Sequence, residues 1–117
     1  MDYKTIMEHI KKEHGEIPKP IQVLGDLDES LVVNHISDKQ FVMSKEAIPA
    51  KYKNLILLAS AKTLDAPACI MTNTKAAKQS GASVEEIMEV FALAKFAKAA
   101  TTLSNSVSAF EWLLNNK

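Results

Sequence analysis

The feature that most constrains the fold is the set of helix start and stop signals in residues 64–90. Pro67 fits the first turn of a helix, because its missing N–H would be unpaired there anyway, and it disfavours helical backbone in the residue before it. Gly81 suits the left-handed position that follows a helix, and Ser83 with Glu86 matches a capping box for the next one. The stretch therefore predicts a helix that begins at or just before Pro67, ends at Gly81 and is followed at once by another helix.

Apolar residues recur at helical spacing through the rest of the chain. They make up 47% of the sequence while aromatic residues make up only 6%, which favours helices packed closely through small side chains. We therefore expect an all-α fold of about six helices in one domain over residues 1–117. The predicted helices cover residues 2–14, a short segment entered through Pro20, residues 29–42, 50–64, the segment from Pro67 to Gly81, and the remainder from Ser83 onward, with a break near Thr101.

His35 shares a predicted helix face with the apolar residues Leu31, Val32 and Ile36. This spacing predicts that His35 points into the core. We favour a buried histidine that hydrogen-bonds to a backbone carbonyl over a histidine that transfers protons.

Two groups of residues resemble metal sites, and simpler explanations are favoured for both. His9 and His14 are five residues apart, so they lie on diverging faces of a helix, and no third ligand is nearby. Glu85, Glu86 and Glu89 stand at a helix start, where the macrodipole and the capping box favour carboxylates. We therefore predict no metal and no other cofactor.

The composition also limits the partners of the chain. All fourteen basic residues are Lys and are balanced by fourteen acidic ones, so the guanidinium groups that commonly recognise phosphates and guanine are absent and we expect no nucleic acid partner. The longest uncharged apolar run, residues 54–61, is far shorter than the roughly 18 residues that a membrane span needs. The amino-terminal segment is amphipathic and charged, unlike a secretory signal, so we expect a cytoplasmic protein.

Cys69 is the only cysteine, which excludes an intrachain disulfide and a cysteine-based zinc cluster. Its predicted place in the first turn of a helix favours the thiolate, because unpaired N–H groups and the positive end of the macrodipole lie there. Asn73 follows four residues later on the same face, so its amide is within reach of the sulfur or of a bound ligand. Cys69 and Asn73 are therefore candidate site residues.

Three motifs together resemble a known family. They are the apolar segment KNLILLASA, the run CIxxNxxxAxxxGAS from Cys69 to Ser83, and EEIMEV from Glu85 to Val90. They are similar to the carboxymuconolactone decarboxylase and AhpD-like family, and looser likeness extends back to Glu16. The resemblance implies an all-helical fold assembled into a homotrimer or homohexamer, with sites near subunit contacts.

Redox members of that family are known for a Cys-x-x-Cys motif, a His four residues after its second Cys, and a Glu on the preceding helix. By the resemblance, the second Cys matches Cys69, whereas the first falls on Ala66, the His on Asn73 and the Glu on Asn54. Ala66 lacks the resolving thiol, and neither Asn exchanges protons at neutral pH. We therefore expect no autonomous peroxidase cycle, and we take Cys69, Asn73 and Asn54 as the candidate catalytic residues.

Three functions remain open on the sequence. The first is a one-cysteine redox protein, peroxiredoxin-like, in which an external thiol resolves oxidised Cys69. The second is a non-catalytic homo-oligomer that binds a small molecule or a partner, which the high apolar content favours. The third is a decarboxylase or lactone-processing enzyme, which we rank lower because only Lys51, Lys53 and Lys62 are at hand to bind a carboxylate substrate.

Overall fold

The chain is built of α-helices alone in the computed structural model, which describes residues 1–117. This confirms the all-α prediction, with seven helices where about six were expected, because the last segment forms a helix of its own. None of the seven combines the length and the hydrophobicity that a bilayer crossing requires. The helices are α1 (Tyr3–His14), α2 (Lys19–Leu27), α3 (Glu29–Ser44), α4 (Ala50–Thr63), α5 (Pro67–Gln79), α6 (Val84–Asn105) and α7 (Val107–Asn115).

Packing within the chain falls into two compact units, Met1–Ala47 and Ile48–Lys117. The first unit contains α1 to α3, and the second contains α4 to α7 and all three candidate site residues. The expectation of one domain over residues 1–117 stays a prediction, and each unit is described by itself.

The first unit is held together by α1 and α2 packing against α3. Its core consists of three buried residues of α1 and the fully buried Val32 of α3. Gly25 of α2 leaves room for Tyr3: a Cβ at this position would lie 2.9 Å from two ring carbons of Tyr3, so a larger residue would displace the ring. Asp28 caps α3: its carboxylate accepts hydrogen bonds from the hydroxyl and the backbone N–H of Ser30, and these bonds lower the pKa of Asp28. The buried residues of α1 are Ile6, Met7 and Ile10.

His35 is exposed, so the prediction that it points inward is wrong. The buried face of α3 runs around the helix from the buried Val32 through Ile36 to Val33, and the last two are partly buried. At about 100° per residue, His35 falls beyond the edge of that face. The exposure of His35 therefore rules out the buried role, in which its side chain would hydrogen-bond to a backbone carbonyl inside the core.

The second unit is organised around α4, which packs against both α5 and α6. Leu58 of α4 is fully buried, and it is the only large residue of this core. The other buried residues are alanines, which let helix backbones approach closely, as the composition predicted. These alanines are Ala61, Ala77, Ala82 and Ala94.

The helix signals between α5 and α6 act as the sequence predicted. Pro67 is the first residue of α5, and Gly81 has a φ of 101°. The Ser83 hydroxyl accepts from the N–H of Glu86 at 3.0 Å, and the Glu86 carboxylate accepts from the N–H of Ser83 at 2.9 Å. Glu86 also pairs with Lys51 of α4 at 3.0 Å. The bond from Ser83 and the pair with Lys51 lower the pKa of Glu86, because both stabilise its ionised form.

The joint between the last two helices lies at Ser106, five residues after the predicted break near Thr101. The Ser106 hydroxyl donates to the carbonyl oxygen of Thr102 at 2.7 Å, and its backbone stays near helical angles. No Gly or Pro is present to mark this joint in the sequence. The last helix, α7, has no buried residue in the chain by itself.

Candidate functional site around Cys69

Cys69 is the third residue of α5, in the first turn, as predicted. The side chain is exposed. Ala66 is the N-terminal cap residue of the helix and offers no side-chain hydrogen bond there. The first turn of α5 therefore holds one accessible sulfur, with a methyl group where a second thiol would resolve it.

Asn73 lies one turn after Cys69 on the same face of α5. Its side-chain Nδ2 donates to the carbonyl oxygen of Leu57 in α4, at a donor–acceptor distance of 3.4 Å. At that length the bond is at the weak end of the range. The structure therefore brings Cys69 and Asn73 to one face, with the Asn73 amide turned to the backbone of α4.

Asn54 is placed at the other end of α5. Its side-chain Nδ2 donates to the hydroxyl oxygen of Ser80 at 3.1 Å and to the carbonyl oxygen of Ala76 at 3.4 Å. Ala76 is seven residues after Cys69, or roughly 10 Å along the helix axis at 1.5 Å per residue. The structure does not bring the Asn54 amide to the Cys69 sulfur.

The antiparallel register of α4 and α5 explains this separation. Early residues of α4 meet late residues of α5, as in the bond from Asn54 to Ser80, and the carbonyl oxygen of Ala61 accepts from the N–H of Ala66 at 3.1 Å. The last turn of α4, which contains the buried Ala61, therefore lies opposite Cys69. That turn supplies no acidic or imidazole side chain for proton transfer to the sulfur.

A family comparison bears on this site. The sequence model of the carboxymuconolactone decarboxylase family matches residues 38–112, which is more than half of the chain. The chain belongs to this family. A search of curated proteins gives no match.

The carboxymuconolactone decarboxylase match contains Asn54, Cys69 and Asn73 and all of α4 to α6. It begins within α3, so the looser likeness noted from Glu16 falls outside it. The family match therefore covers the helices that contain the candidate site.

The turn that leads into α5 is tied to α6 by an ion pair that the sequence did not reveal. Asp65 has a positive φ of 55°, a conformation that Asp tolerates better than most residues. Both of its carboxylate oxygens accept from the Lys98 ammonium at 2.7 Å. This exposed ion pair links the chain four residues before Cys69 to α6.

A groove beside the candidate site was also missed from the sequence. It lies between α4, α5 and α6, with a volume of about 210 Å³. The ammonium of Lys62 is 5.2 Å from the centre of the Phe91 ring. Phe91 and Lys95 of α6 are four residues apart and share a helix face, which is the only signal that the sequence offered. The lining residues are Lys62, Ile70, Phe91, Ala94 and Lys95.

Proposed function

We propose that this member of the carboxymuconolactone decarboxylase family is a one-cysteine thiol redox protein that depends on an external thiol. The observation that carries the proposal is the exposed Cys69 side chain in the first turn of α5. Helix starts favour thiolates, and accessible thiolates are the cysteines that peroxides oxidise. A cytoplasmic location suits this chemistry, because small thiols are kept reduced there.

The proposed cycle has three steps. The Cys69 thiolate attacks the outer oxygen of a hydroperoxide, the O–O bond breaks, and the sulfur becomes a sulfenic acid while the leaving oxygen takes up a proton as an alcohol or water. An external thiol then attacks the sulfenic acid, forms a mixed disulfide and releases water. A second external thiol releases reduced Cys69 and leaves as the disulfide of the reductant.

The surroundings of Cys69 support dependence on an outside reductant. Ala66 has no thiol, and the chain has no second cysteine elsewhere. The amides of Asn54 and Asn73 donate to atoms of the paired helix. Amides do not exchange protons at neutral pH, so both residues act in this proposal by holding α4 against α5.

Trapping of the sulfenic acid tests the first step. The native protein is treated with peroxide and a cyclic dione, which adds to sulfenic acids, and the modified residue is located by peptide mass spectrometry. We expect one adduct, on Cys69, and none in Cys69→Ser. Native protein that gives no adduct, while its thiol reacts once unfolded, would refute the proposal.

A second cysteine one turn earlier tests the missing resolving step. Ala66→Cys places two thiols three residues apart at the helix start, a spacing of about 5 Å that a disulfide spans. We expect peroxide to consume both thiols of this variant and to form an intrachain disulfide. Ala68→Cys is the matched control, because its side chain diverges from Cys69 by about 100° around the helix. Equal disulfide formation in both variants would contradict the geometry of this step.

A second function, a non-catalytic homo-oligomer, is favoured by the uncovered apolar surface of α6 and α7. Trp112 is 62% exposed and Leu114 is 65% exposed. Large apolar patches on a single chain mark association sites, and closed symmetric assemblies are the commonest result. We propose a homotrimer or homohexamer that covers these helices. Other exposed residues of this surface are Phe96, Leu103, Phe110 and Leu113.

Light scattering and sedimentation equilibrium test the assembly. We expect the native chain to run as a trimer or hexamer and Trp112→Ser with Leu114→Ser to shift it toward smaller species. Lys117→Ser, on the polar end of the chain, is the control and is expected to leave the assembly unchanged. A native chain that stays monomeric at high concentration would exclude this second function.

A further inference from the structure

The groove between α4, α5 and α6 carries an inference that does not depend on Cys69. Its walls are mostly apolar, formed by Ile70, Phe91 and Ala94, and its two polar residues, Lys62 and Lys95, are both cations. We propose that this groove binds a small monocarboxylate with an apolar body.

The charges of the groove favour an anion. Neither Lys62 of α4 nor Lys95 of α6 forms an ion pair. Lys98, which is also in α6, is paired with Asp65. Asp65 is the only acidic residue within four positions of either groove lysine, and both of its oxygens already accept from Lys98. Two lysines therefore line a mostly apolar cleft, and no carboxylate of the chain forms an ion pair with either of them.

The walls select an anion that also has an apolar part. Phe91 is 45% exposed, and the Lys62 ammonium lies over its ring. The flat or branched hydrocarbon part of a ligand can therefore cover the exposed ring surface while the carboxylate meets a lysine. A phosphate has no apolar part to cover this ring. The chain also contains no Arg, the residue that binds phosphate oxygens in pairs.

The size of the groove limits the ligand to a small acid. Its volume is about 210 Å³. This is below the range of pockets that hold drug-sized ligands. An aromatic or branched aliphatic acid of about ten non-hydrogen atoms therefore fits, and benzoate serves as the test ligand.

The test is a titration of the native protein with benzoate, followed by two-dimensional NMR. We expect shifts of the resonances of Ile70, Phe91 and Ala94 at millimolar benzoate, and binding that weakens as salt is added. Benzyl alcohol, which has the same ring without the charge, is expected to bind more weakly. Equal affinity for the two compounds, or shifts confined to other parts of the chain, would overturn the proposal.

Charge-removing variants locate the binding. Lys62→Ala and Lys95→Ala are each expected to weaken benzoate binding about threefold to fivefold, the upper part of the range for loss of one exposed ion pair. Lys78→Ala removes the same charge from an exposed position of α5 outside the groove, and we expect no change. Circular dichroism confirms that each variant is folded, and Cys69→Ser is expected to bind benzoate as the native chain does. If Lys78→Ala lost as much affinity for benzoate as the two groove variants, the loss would come from the net charge of the chain, and the proposed site would be refuted.

Discussion

The replacement of Asn54 by Ala separates a packing role from a catalytic one. Asn54 is half-buried and donates to the Ser80 hydroxyl at 3.1 Å and to the Ala76 carbonyl at 3.4 Å. Both acceptors keep other partners when the amide is removed, because the Ser80 N–H and hydroxyl already donate to the Ala76 oxygen at 3.0 Å and 2.9 Å. The variant therefore loses hydrogen bonds without leaving a buried group unpaired.

The expected loss is about 1 kcal/mol of unfolding free energy, which is the usual net value of one good hydrogen bond. The longer bond to Ala76 adds little to this figure. For a chain of 117 residues, about 1 kcal/mol lowers the melting temperature by roughly 4 °C. Urea unfolding followed by circular dichroism measures the change at a fixed protein concentration, since any assembly adds a concentration term.

The same variant is expected to leave the rate of Cys69 oxidation unchanged, because Asn54 bonds to the far end of α5. Gln79→Ala is the matched control. Because Gln79 is exposed on α5, this variant is expected to change the unfolding free energy by no more than about 0.5 kcal/mol. A drop in the oxidation rate of about a hundredfold in Asn54→Ala, the size typical of a lost acid–base group, would refute this reasoning. Unchanged stability in that variant would also contradict it.

Three further substitutions test the second unit, each by denaturant or thermal unfolding. Leu58→Ala is expected to cost about 3–4 kcal/mol of unfolding free energy, because Leu58 is fully buried and its truncation leaves a cavity. Asp65→Ala is expected to be less stable than Asp65→Gly by about 1 kcal/mol, because only glycine adopts a φ of 55° without strain; equal stability would show that the turn relaxes. Glu86→Gln is expected to be less stable than the native chain at pH 7, because the lowered pKa of Glu86, due first to the N–H of Ser83, stabilises the fold above the ordinary pKa of 4.5. That stabilisation is lost as the pH falls through the pKa of Glu86 in the folded chain, so the native chain and Glu86→Gln are expected to be equally stable in acid. A difference in stability that persists in acid would contradict the assignment.

Helix ends with their own local chemistry were predictable from the sequence. Pro67, Gly81 and the pair of Ser83 with Glu86 fix the ends of α5 and α6 through interactions within four residues, and the structure has these helix ends where the sequence predicted them. The joint at Ser106 has no such signal, and its predicted position was wrong. Interactions between residues that are close in the sequence can be predicted because they do not depend on how the helices pack together.

The arrangement of the candidate site was predictable only in part. The pairing of Cys69 with Asn73 on one face follows from helix geometry alone. The distance of Asn54 from Cys69 depends on the register between α4 and α5, which tertiary packing sets and which no single helix encodes. His35 was misplaced for a related reason, since the packing of α3 turns its buried face toward Val33.

The most direct test of the account is the number of peroxide molecules reduced per chain with and without an added small thiol. We predict about one peroxide reduced per Cys69 when no thiol is supplied, because the chain has no second cysteine to resolve the sulfenic acid. With excess thiol we predict repeated turnover, and no turnover in Cys69→Ser. Repeated turnover by the native chain without added thiol, or turnover that survives in Cys69→Ser, would contradict the account.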